Sequence, residues 1–554
     1  MPHPARTLLR RLKTPLTVLL IVYTVSIIGY MLIPGIDDKG QPWDMSFFHA
    51  FYFVSFMSTT IGFGEIPYAF TDQQRYWTLI TMYATVVTWL YGIGVLLSVF
   101  QDKVFINQIT KNKFSRRIKA IKEPFYIICG YGDTGAQLTR QLSEQGLKTV
   151  IIDTSAERIN DIQDDKFNIK PIPLCEDASQ SEVLEMAGIT HPNCVGIISI
   201  VNDDTVNLTV AITAQLMNPK ARLIARAETP EAEANILSFG ANEVINPFNI
   251  FASRLSLALQ SPNMYSLYDW MTGEPNATMK EPPELSTGTW IICDFGRFGR
   301  ALYHHLDNDK VKLKFITNNR NVDDLPAGTV IGRATEAPSL KKAGIKDAVG
   351  IIAGTNNDAN NLSIMLTASE LNDKIFRIVR QNRDNNAHLF HAAEYEMLMQ
   401  RGSIISNTIF AFIRTPLLGD FLRISSRFKN EKAGELVNRI KTVVGDDVPK
   451  IWEFSLTEKQ APALFNYVQN NEFHIENILV DDAVNNIGST DAKASKVSAL
   501  CLYIHREHGN VLLPEKERFM KKDDHFLMCG TRSSYEKLNS ILKNEKTIAN
   551  LVKQ

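Results

Sequence analysis

Ser58-Thr59-Thr60-Ile61-Gly62-Phe63-Gly64-Glu65 sits where the logic of a globular protein would not put it. Residues 45–57, directly before it, are apolar and rich in Phe and Tyr, yet they cover only about half the length needed to cross a bilayer. Such a segment dips into a membrane and returns. Two glycines separated by one residue, after threonines, permit a backbone in which alternate residues take positive φ and successive carbonyls point to the same side. Rings of such carbonyls replace the water around a dehydrating cation.

Apolar runs of spanning length flank the stretch at residues 16–33 and 77–100, the second carrying Gly92 and Gly94 and no charged residue. Arg6, Arg10, Arg11 and Lys13 precede the first run, and Lys103, Lys111, Lys113, Arg116, Arg117, Lys119 and Lys122 follow the second, whereas residues 35–44 are slightly acidic. The positive-inside rule then puts both termini in the cytoplasm and the glycine loop outside. No small-residue cleavage site follows the first run, so it reads as an anchor and not as a signal peptide. Two spanning helices around a re-entrant one cannot enclose a pore alone, and a cyclic ring of copies is the usual way to close one.

The full chain of 554 residues carries a net charge of -1, which gives no electrostatic case for nucleic acid. Its mean hydropathy of -0.10 fits a small membrane part bearing a large soluble body. Cys129, Cys175, Cys194, Cys293, Cys501 and Cys529 show no metal-type spacing and read as reduced residues of a cytosolic core. Residues 101–123 are polar and basic without a sustained apolar stripe, and read as a linker, either a solvated tether or one whose cations reach lipid headgroups.

The soluble body opens with the apolar strand Phe125-Tyr-Ile-Ile-Cys129, which runs into Gly130-Tyr-Gly132-Asp133-Thr134-Gly135, an amphipathic helix, and a second strand ending in Asp153. Strand, glycine turn, helix, strand and terminal acid within one unit mark a dinucleotide-binding fold. Gly130 permits the turn, Gly132 lets backbone approach a pyrophosphate, and Gly135 lets helix pack on strand; the amides at Asp133 and Thr134 face the phosphates. Asp153 accepts from a ribose diol, which favours NAD or an adenine nucleotide over NADP. Strand and helix patterns continue to residue 245 and predict a six-stranded doubly wound sheet.

The pattern then repeats. Trp290-Ile-Ile-Cys293-Asp294-Phe-Gly296-Arg297-Phe-Gly299 echoes the first turn, and residues 349–362 parallel 195–208. The second copy has Asp294 for the first glycine and Thr317-Asn318 where the acid should stand, so it reads as a structural copy or a site for something else, with Arg297, Arg300 or Arg333.

The stretch from Thr60 to Glu65 resembles the selectivity filter of potassium channels, Thr-Val-Gly-Tyr-Gly-Asp, with Ile61, Phe63 and Glu65 as departures. Residues 125–259 resemble the regulator-of-potassium-conductance (RCK) domain. Together they resemble two-transmembrane prokaryotic potassium channels with tandem RCK domains. The resemblance implies a homotetramer in the lipid bilayer of the cell inner membrane, with K⁺ held by Thr60, Ile61, Gly62, Phe63 and Gly64, and a regulatory NAD or ADP. It implies that Gly130, Gly132, Asp133, Thr134, Gly135, Asp153, Asp177, Asn202 and Arg226 hold the nucleotide. It places a hinge or gate at Gly92, Gly94, Leu97 and Phe100, and Glu65 at the outer mouth. Calcium binds some members beside the fifth strand, where Glu228 matches but Arg226 replaces the neighbouring acid.

The expected fold class is an α-helical pore fused to α/β: two tandem Rossmann-like RCK domains with a small α+β C-terminal lobe. The expected domains are a pore at 1–100, a linker at 101–123, RCK domains at 124–262 and 289–424 joined by 263–288, and the lobe at 425–554. Residues 247–259 and 406–422 are the expected crossover helices. No catalytic constellation stands out, so the chain is not expected to be an enzyme. The alternatives are a membrane-tethered NAD-dependent oxidoreductase, which needs an acid or base beside the nicotinamide, and a subunit of a potassium uptake transporter.

Overall fold

The computed structural model describes residues 4–101, 103–273, 277–306, 311–320, 324–445, 447–480, 496–507 and 509–552. The chain divides into two compact units, residues 1–120 and 121–554.

In the first unit, helices α1 (Pro4–Leu32), α2 (Phe47–Ser58) and α3 (Asp72–Gln101) pack together, and a short antiparallel pair, β1 (Gly35–Ile36) with β2 (Pro42–Trp43), closes the turn after α1. Ser46 starts α2 by accepting from the His49 amide. The helices α1 and α3 approach closely because Gly29 has no side chain: a Cβ there would lie 2.2 Å from the Trp77 ring. Residues Leu12–Leu32 and Asp72–Ser98 are long and apolar enough to cross a membrane, and α2 is apolar but shorter. In α3, Thr78, Thr81, Thr85 and Thr88 return their hydroxyls to carbonyls four residues back, so their polar groups are satisfied within the helix.

The stretch expected to be a linker at 101–123 is instead a helix, α4 (Lys103–Lys119). No Gly or Pro interrupts residues 95–123, and Arg116, Arg117 and Lys119 in the last turn favour the helix dipole, so helical propensity suffices without an apolar stripe.

The second unit begins with the parallel sheet β3 (Phe125–Cys129), β4 (Lys148–Asp153), β5 (Ile172–Cys175), β6 (Cys194–Ser199), β7 (Arg222–Arg226) and β8 (Glu243–Ile245), in the spatial order β5-β4-β3-β6-β7-β8. Its helices are α5 (Asp133–Glu144), α6 (Ala156–Asp164), α7 (Ser181–Met186), α8 (Asp204–Met217) and α9 (Pro230–Ser238). The reversal of order beside β3 puts a crevice at the carboxyl ends of β3 and β6, next to the glycine turn.

Two helices follow, α10 (Pro247–Gln260) and α11 (Pro262–Thr272). The expected connection at 263–288 thus contains a buried helix: Pro262 starts it, and Met264, Leu267, Trp270 and Met271 repeat at helical spacing into the core.

The repeat forms a second sheet from β9 (Gly288–Cys293), β10 (Val311–Thr317), β11 (Val330–Ile331), β12 (Gly350–Ala353), β13 (Phe376–Gln381) and β14 (Met397–Gln400), ordered β11-β10-β9-β12-β13-β14. Its helices are α12 (Arg297–Leu306), α13 (Ala337–Ala343), α14 (Asp358–Leu371) and α15 (Ala387–Ala392). The single helix expected at 406–422 is two, α16 (Arg401–Arg414) and α17 (Leu417–Ser425), because Pro416 has no amide to continue the first.

The C-terminal lobe holds α18 (Asn430–Val444), β15 (Lys450–Ser455), α19 (Pro462–Asn470), β16 (Leu479–Val480), β17 (Val497–His505), β18 (Val511–Leu512), β19 (His525–Gly530), α20 (Arg532–Lys543) and α21 (Glu545–Val552). Its main sheet is ordered β15-β19-β17-β16.

The two Rossmann units exchange their trailing helices. Helix α16 of the second packs on α5 of the first, and α10 of the first packs on α12 of the second. Gln141 on α5 donates to Asn407 on α16 at 2.5 Å, and Ser256 on α10 donates to the His305 carbonyl at 3.0 Å.

Candidate functional site

In the first unit, α2 ends at Ser58 and the chain turns back through the glycine stretch. Thr60, Gly62 and Gly64 have φ of 60°, 65° and 96°, so every second residue is left-handed. That alternation turns successive carbonyls the same way, as expected of an ion-coordinating loop. Ile61 and Phe63 are 61% and 65% exposed within one chain. Phe63 packs edge-on against Phe56 of α2 at 5.5 Å, so ring packing links the glycine stretch to α2 where a hydroxyl is lacking.

Glu65 is engaged within its own chain. It accepts from the Phe70 amide at 2.8 Å and is forked by Arg75 at 2.9 and 3.2 Å. The Arg75 hydrogen bond first, then the Phe70 amide, holds its carboxyl below the usual range. An apolar recess of about 490 Å³ lies between α2, the glycine stretch and α3, lined by Phe53, Phe56, Gly62, Phe70 and Met82 among others.

Gly92, Gly94 and Leu97 lie on unbroken α3; a Cβ at either glycine meets nothing within 4 Å, and Leu97 is 54% exposed. The side chain of Phe100 lies outside the described residues.

In the second unit, Gly130 has φ 103°, and a Cβ there would crowd the backbone of Ile200 and Val201 at 3.2 Å. Gly132 caps α5, with open space where its Cβ would be; a Cβ on Gly135 would sit 2.2 Å from the Gly130 carbonyl. Each glycine therefore has its own reason, and the amides at the start of α5, from Asp133 and Thr134 on, lie beside that open space. Asp153 is buried at the end of β4. Its Oδ2 accepts the Tyr131 amide at 2.6 Å and its Oδ1 the Ser155 amide at 2.8 Å, while Arg158 lies 3.5 Å away. The carboxylate braces the glycine turn and still has lone pairs for a ribose diol.

The other expected contacts divide. Asp177 accepts from the Ser179 amide at 2.9 Å and shapes its own loop. Arg226 is 2% exposed and is held by Asn202 and Glu228, so it is not presented to a phosphate as expected; Asn202, exposed after β6, accepts from Arg226 on its Oδ1. Glu228 also pairs with Arg297 at the start of α12. A carboxylate clamped by two guanidinium groups is no calcium ligand, which overturns that expectation. Among the described residues no cluster of three or more metal-ligating side chains occurs.

Sequence reasoning missed Asn207 and Asn361. Asn207 donates to the carbonyls of Val201 and Arg226 at 2.8 and 2.9 Å and accepts from Ser199 and Val201, tying the ends of β6 and β7 beside the turn. Asn361 does the same with Thr355 and Arg380. Their recurrence at matching places in the repeat was the available signal. Of the cysteines, burial pushes Cys129, Cys194 and Cys529 up to about 12, in keeping with core thiols, but Cys175 is exposed.

With this geometry, the molecule combines a membrane-spanning pore segment with two dinucleotide-type folds. The ion channel family model matches residues 17–102, and the TrkA-N domain model matches 126–247 and 290–400. Potassium channel protein 1 of Methanocaldococcus jannaschii is 27% identical over 225 residues, 40% of this chain and 65% of that protein. The Trk system potassium uptake protein TrkA homolog of Pyrococcus abyssi is 28% identical over 136 residues, 23% of this chain and 60% of that protein. The matches therefore span less than two thirds of these relatives' own length. Among solved structures, the GsuK channel is 16% identical, covering 99% of this chain and 100% of that one, with a TM-score of 0.47; GsuK bound to NAD aligns with a TM-score of 0.43 at 16% identity, covering 97% of this chain and 99% of that one. The chain is a membrane protein that joins an ion channel domain to two TrkA-N domains.

Proposed function

We propose that four copies of this chain form a potassium channel of the cell inner membrane, with cytoplasmic termini, whose opening is set by NAD or ADP bound at the first Rossmann turn. The observation that carries conduction is the alternating left-handed backbone at Thr60, Gly62 and Gly64. Carbonyls of Thr60, Ile61, Gly62 and Phe63 then replace the hydration shell of K⁺ around the ring axis. The recess beside the glycine stretch is open within one chain, and a neighbouring subunit fills it. Potassium channel relatives support the choice of ion.

The nucleotide reading rests on the open space at Gly132, the amides at the start of α5 and the buried Asp153. The acid disfavours a 2′-phosphate and so prefers NAD or ADP to NADP. Residues 120–124 are all that separates α4 from β3, the strand that ends in the turn, so movement of the sheet reaches α4 with little slack. Ligand moves the gate only as far as it prefers one arrangement of the ring over another. In this reading the bound nucleotide is a regulator and is not turned over, so the chain is not an enzyme.

Purified protein in planar bilayers tests both parts. Currents selective for K⁺ and titrating with NAD or ADP are expected, and Gly62→Ala should abolish conduction with nucleotide affinity unchanged. Normal single-channel currents from that variant would refute the filter.

A further inference from the structure

The two Rossmann turns are built alike but differ in what stands before them, and the difference comes from the opposite domain. Each trailing helix brings its second residue to the start of the other domain's turn helix. On α10, capped by Asn246, that residue is Phe248; on α16, capped by Gln400, it is Gly402.

Phe248 is 2% exposed and lies against the start of α12. Its ring packs with Phe298 at 6.3 Å, and the guanidinium groups of Arg297 and Arg380 lie over it at 5.4 and 5.2 Å. The loop itself is also filled. Asp294 replaces the first glycine with φ 89°, accepts the Phe295 amide on its Oδ1 at 2.9 Å, and puts Oδ2 3.3 Å from where a Cβ on Gly296 would be. A carboxylate and an aromatic ring of the chain itself thus occupy the mouth of the second turn.

At the first turn each of these is missing. Gly130 has no carboxylate to fold in, and the space at Gly132 is open. A Cβ on Gly402 would lie 3.5 Å from the Asp133 Cβ and 3.7 Å from the Thr134 nitrogen, so this glycine faces the α5 amides directly. Glycine inside a helix costs about 1 kcal/mol relative to alanine, and Gly402 is not in a left-handed conformation that would call for it. An alanine methyl would fit there, whereas a larger side chain would reach into the space before the α5 amides.

We infer that α16 forms the outer wall of the nucleotide site, that Gly402 keeps the first turn open to a dinucleotide or nucleoside diphosphate, and that Phe248 with Asp294 permanently closes the second. This rests on the nucleotide reading above. The ligand's phosphates then lie between the two domains of one chain, in contact with both.

The test is calorimetric titration of the full-length detergent-solubilised channel with NAD and with ADP. One nucleotide per chain is expected for the wild type. Gly402→Ala should bind within about threefold of wild type, since its Cβ makes only ordinary contacts, whereas Gly402→Phe should lose measurable binding. The double variant Phe248→Gly/Asp294→Gly should bind a second nucleotide per chain, a gain that misfolding does not produce. Wild-type affinity in Gly402→Phe, or two sites per chain in the wild type, would overturn the wall and plug. No binding of any nucleotide to the wild type would overturn the nucleotide reading itself, and this inference with it.

Discussion

Replacing Asp153 by asparagine separates two tasks that one carboxylate performs. The native side chain accepts the Tyr131 amide at 2.6 Å and the Ser155 amide at 2.8 Å, and Arg158 lies 3.5 Å from Oδ2. Asparagine keeps one oxygen, so one of the two amides loses its acceptor. Hydrogen bonds to charged groups contribute about 1.5–3 kcal/mol and neutral ones about 1, so the turn should lose roughly 1–3 kcal/mol of local stability. The variant can still accept one ribose hydroxyl, but not as a charge. Losing that assistance is worth another ~2 kcal/mol, or about 30-fold in affinity. Titration calorimetry with NAD, ADP and NADP reads the ligand, and hydrogen exchange at Tyr131 reads the turn. NAD and ADP should bind at least tenfold more weakly, exchange at Tyr131 should quicken, and single-channel conductance should not change. NADP should lose less than NAD, because Arg158 no longer has a carboxylate beside it. Wild-type NAD affinity together with fast Tyr131 exchange would make Asp153 a brace alone and refute the ribose contact.

Two further outcomes follow from buried charge. Burial between β15 and α17 pushes the Glu453 carboxyl up from 4.5 to about 7, against the Leu417 amide and Arg222, which favour its charged form. A raised carboxyl gives stability that is complete below 4.5 and lost as pH rises through 7, so Glu453→Gln should raise the thermal unfolding midpoint at pH 8, by an equivalent of roughly 1–3 kcal/mol, and leave it nearly unchanged at pH 4.5. An equal gain at both pH values would remove titration as the cause. Glu228→Ala strips the anion from Arg226, which is 2% exposed, and should cost about 3–5 kcal/mol, whereas Arg297→Ala, at a side chain 51% exposed, should cost far less. Equal losses in denaturant unfolding would contradict this ranking.

The periodic parts of the fold were legible, and the parts that depend on distant partners were not. Apolar runs of spanning length and the strand–glycine–helix–strand unit carry their conformation in local composition, and the repeat of residues 195–208 at 349–362 made the second sheet readable from the first. Helix α4 was missed because its stability comes from propensity and end charges, without an apolar stripe to show it. At the site, the glycines and Asp153 could be read because each answers a steric or charge demand of the turn itself. Arg226 was misassigned because sequence spacing cannot show that Glu228, two residues on, turns back to bury it, or that Arg297 from the other domain completes the cluster. The exchange of α10 and α16 is a tertiary event, joining residues 49 apart in one case and 266 apart in the other, so the meaning of Phe248 against Gly402 became visible only in three dimensions.

The exchange also bears on how little each nucleotide must do. A ligand held by a single rigid domain would bind equally well in every ring geometry and move nothing. If its phosphates lie between α5 of one domain and α16 of the other, any shift between the domains changes its contacts, and binding and domain angle become one variable. Taking a gate from about 1:99 to 99:1 needs ~5.5 kcal/mol of preference. If four copies act on one pore as proposed, each nucleotide needs only about a quarter of that, roughly a tenfold preference or one charge-assisted hydrogen bond made in one geometry and lost in the other. A contact as small as that of a phosphate with the first turn of α16 is sufficient.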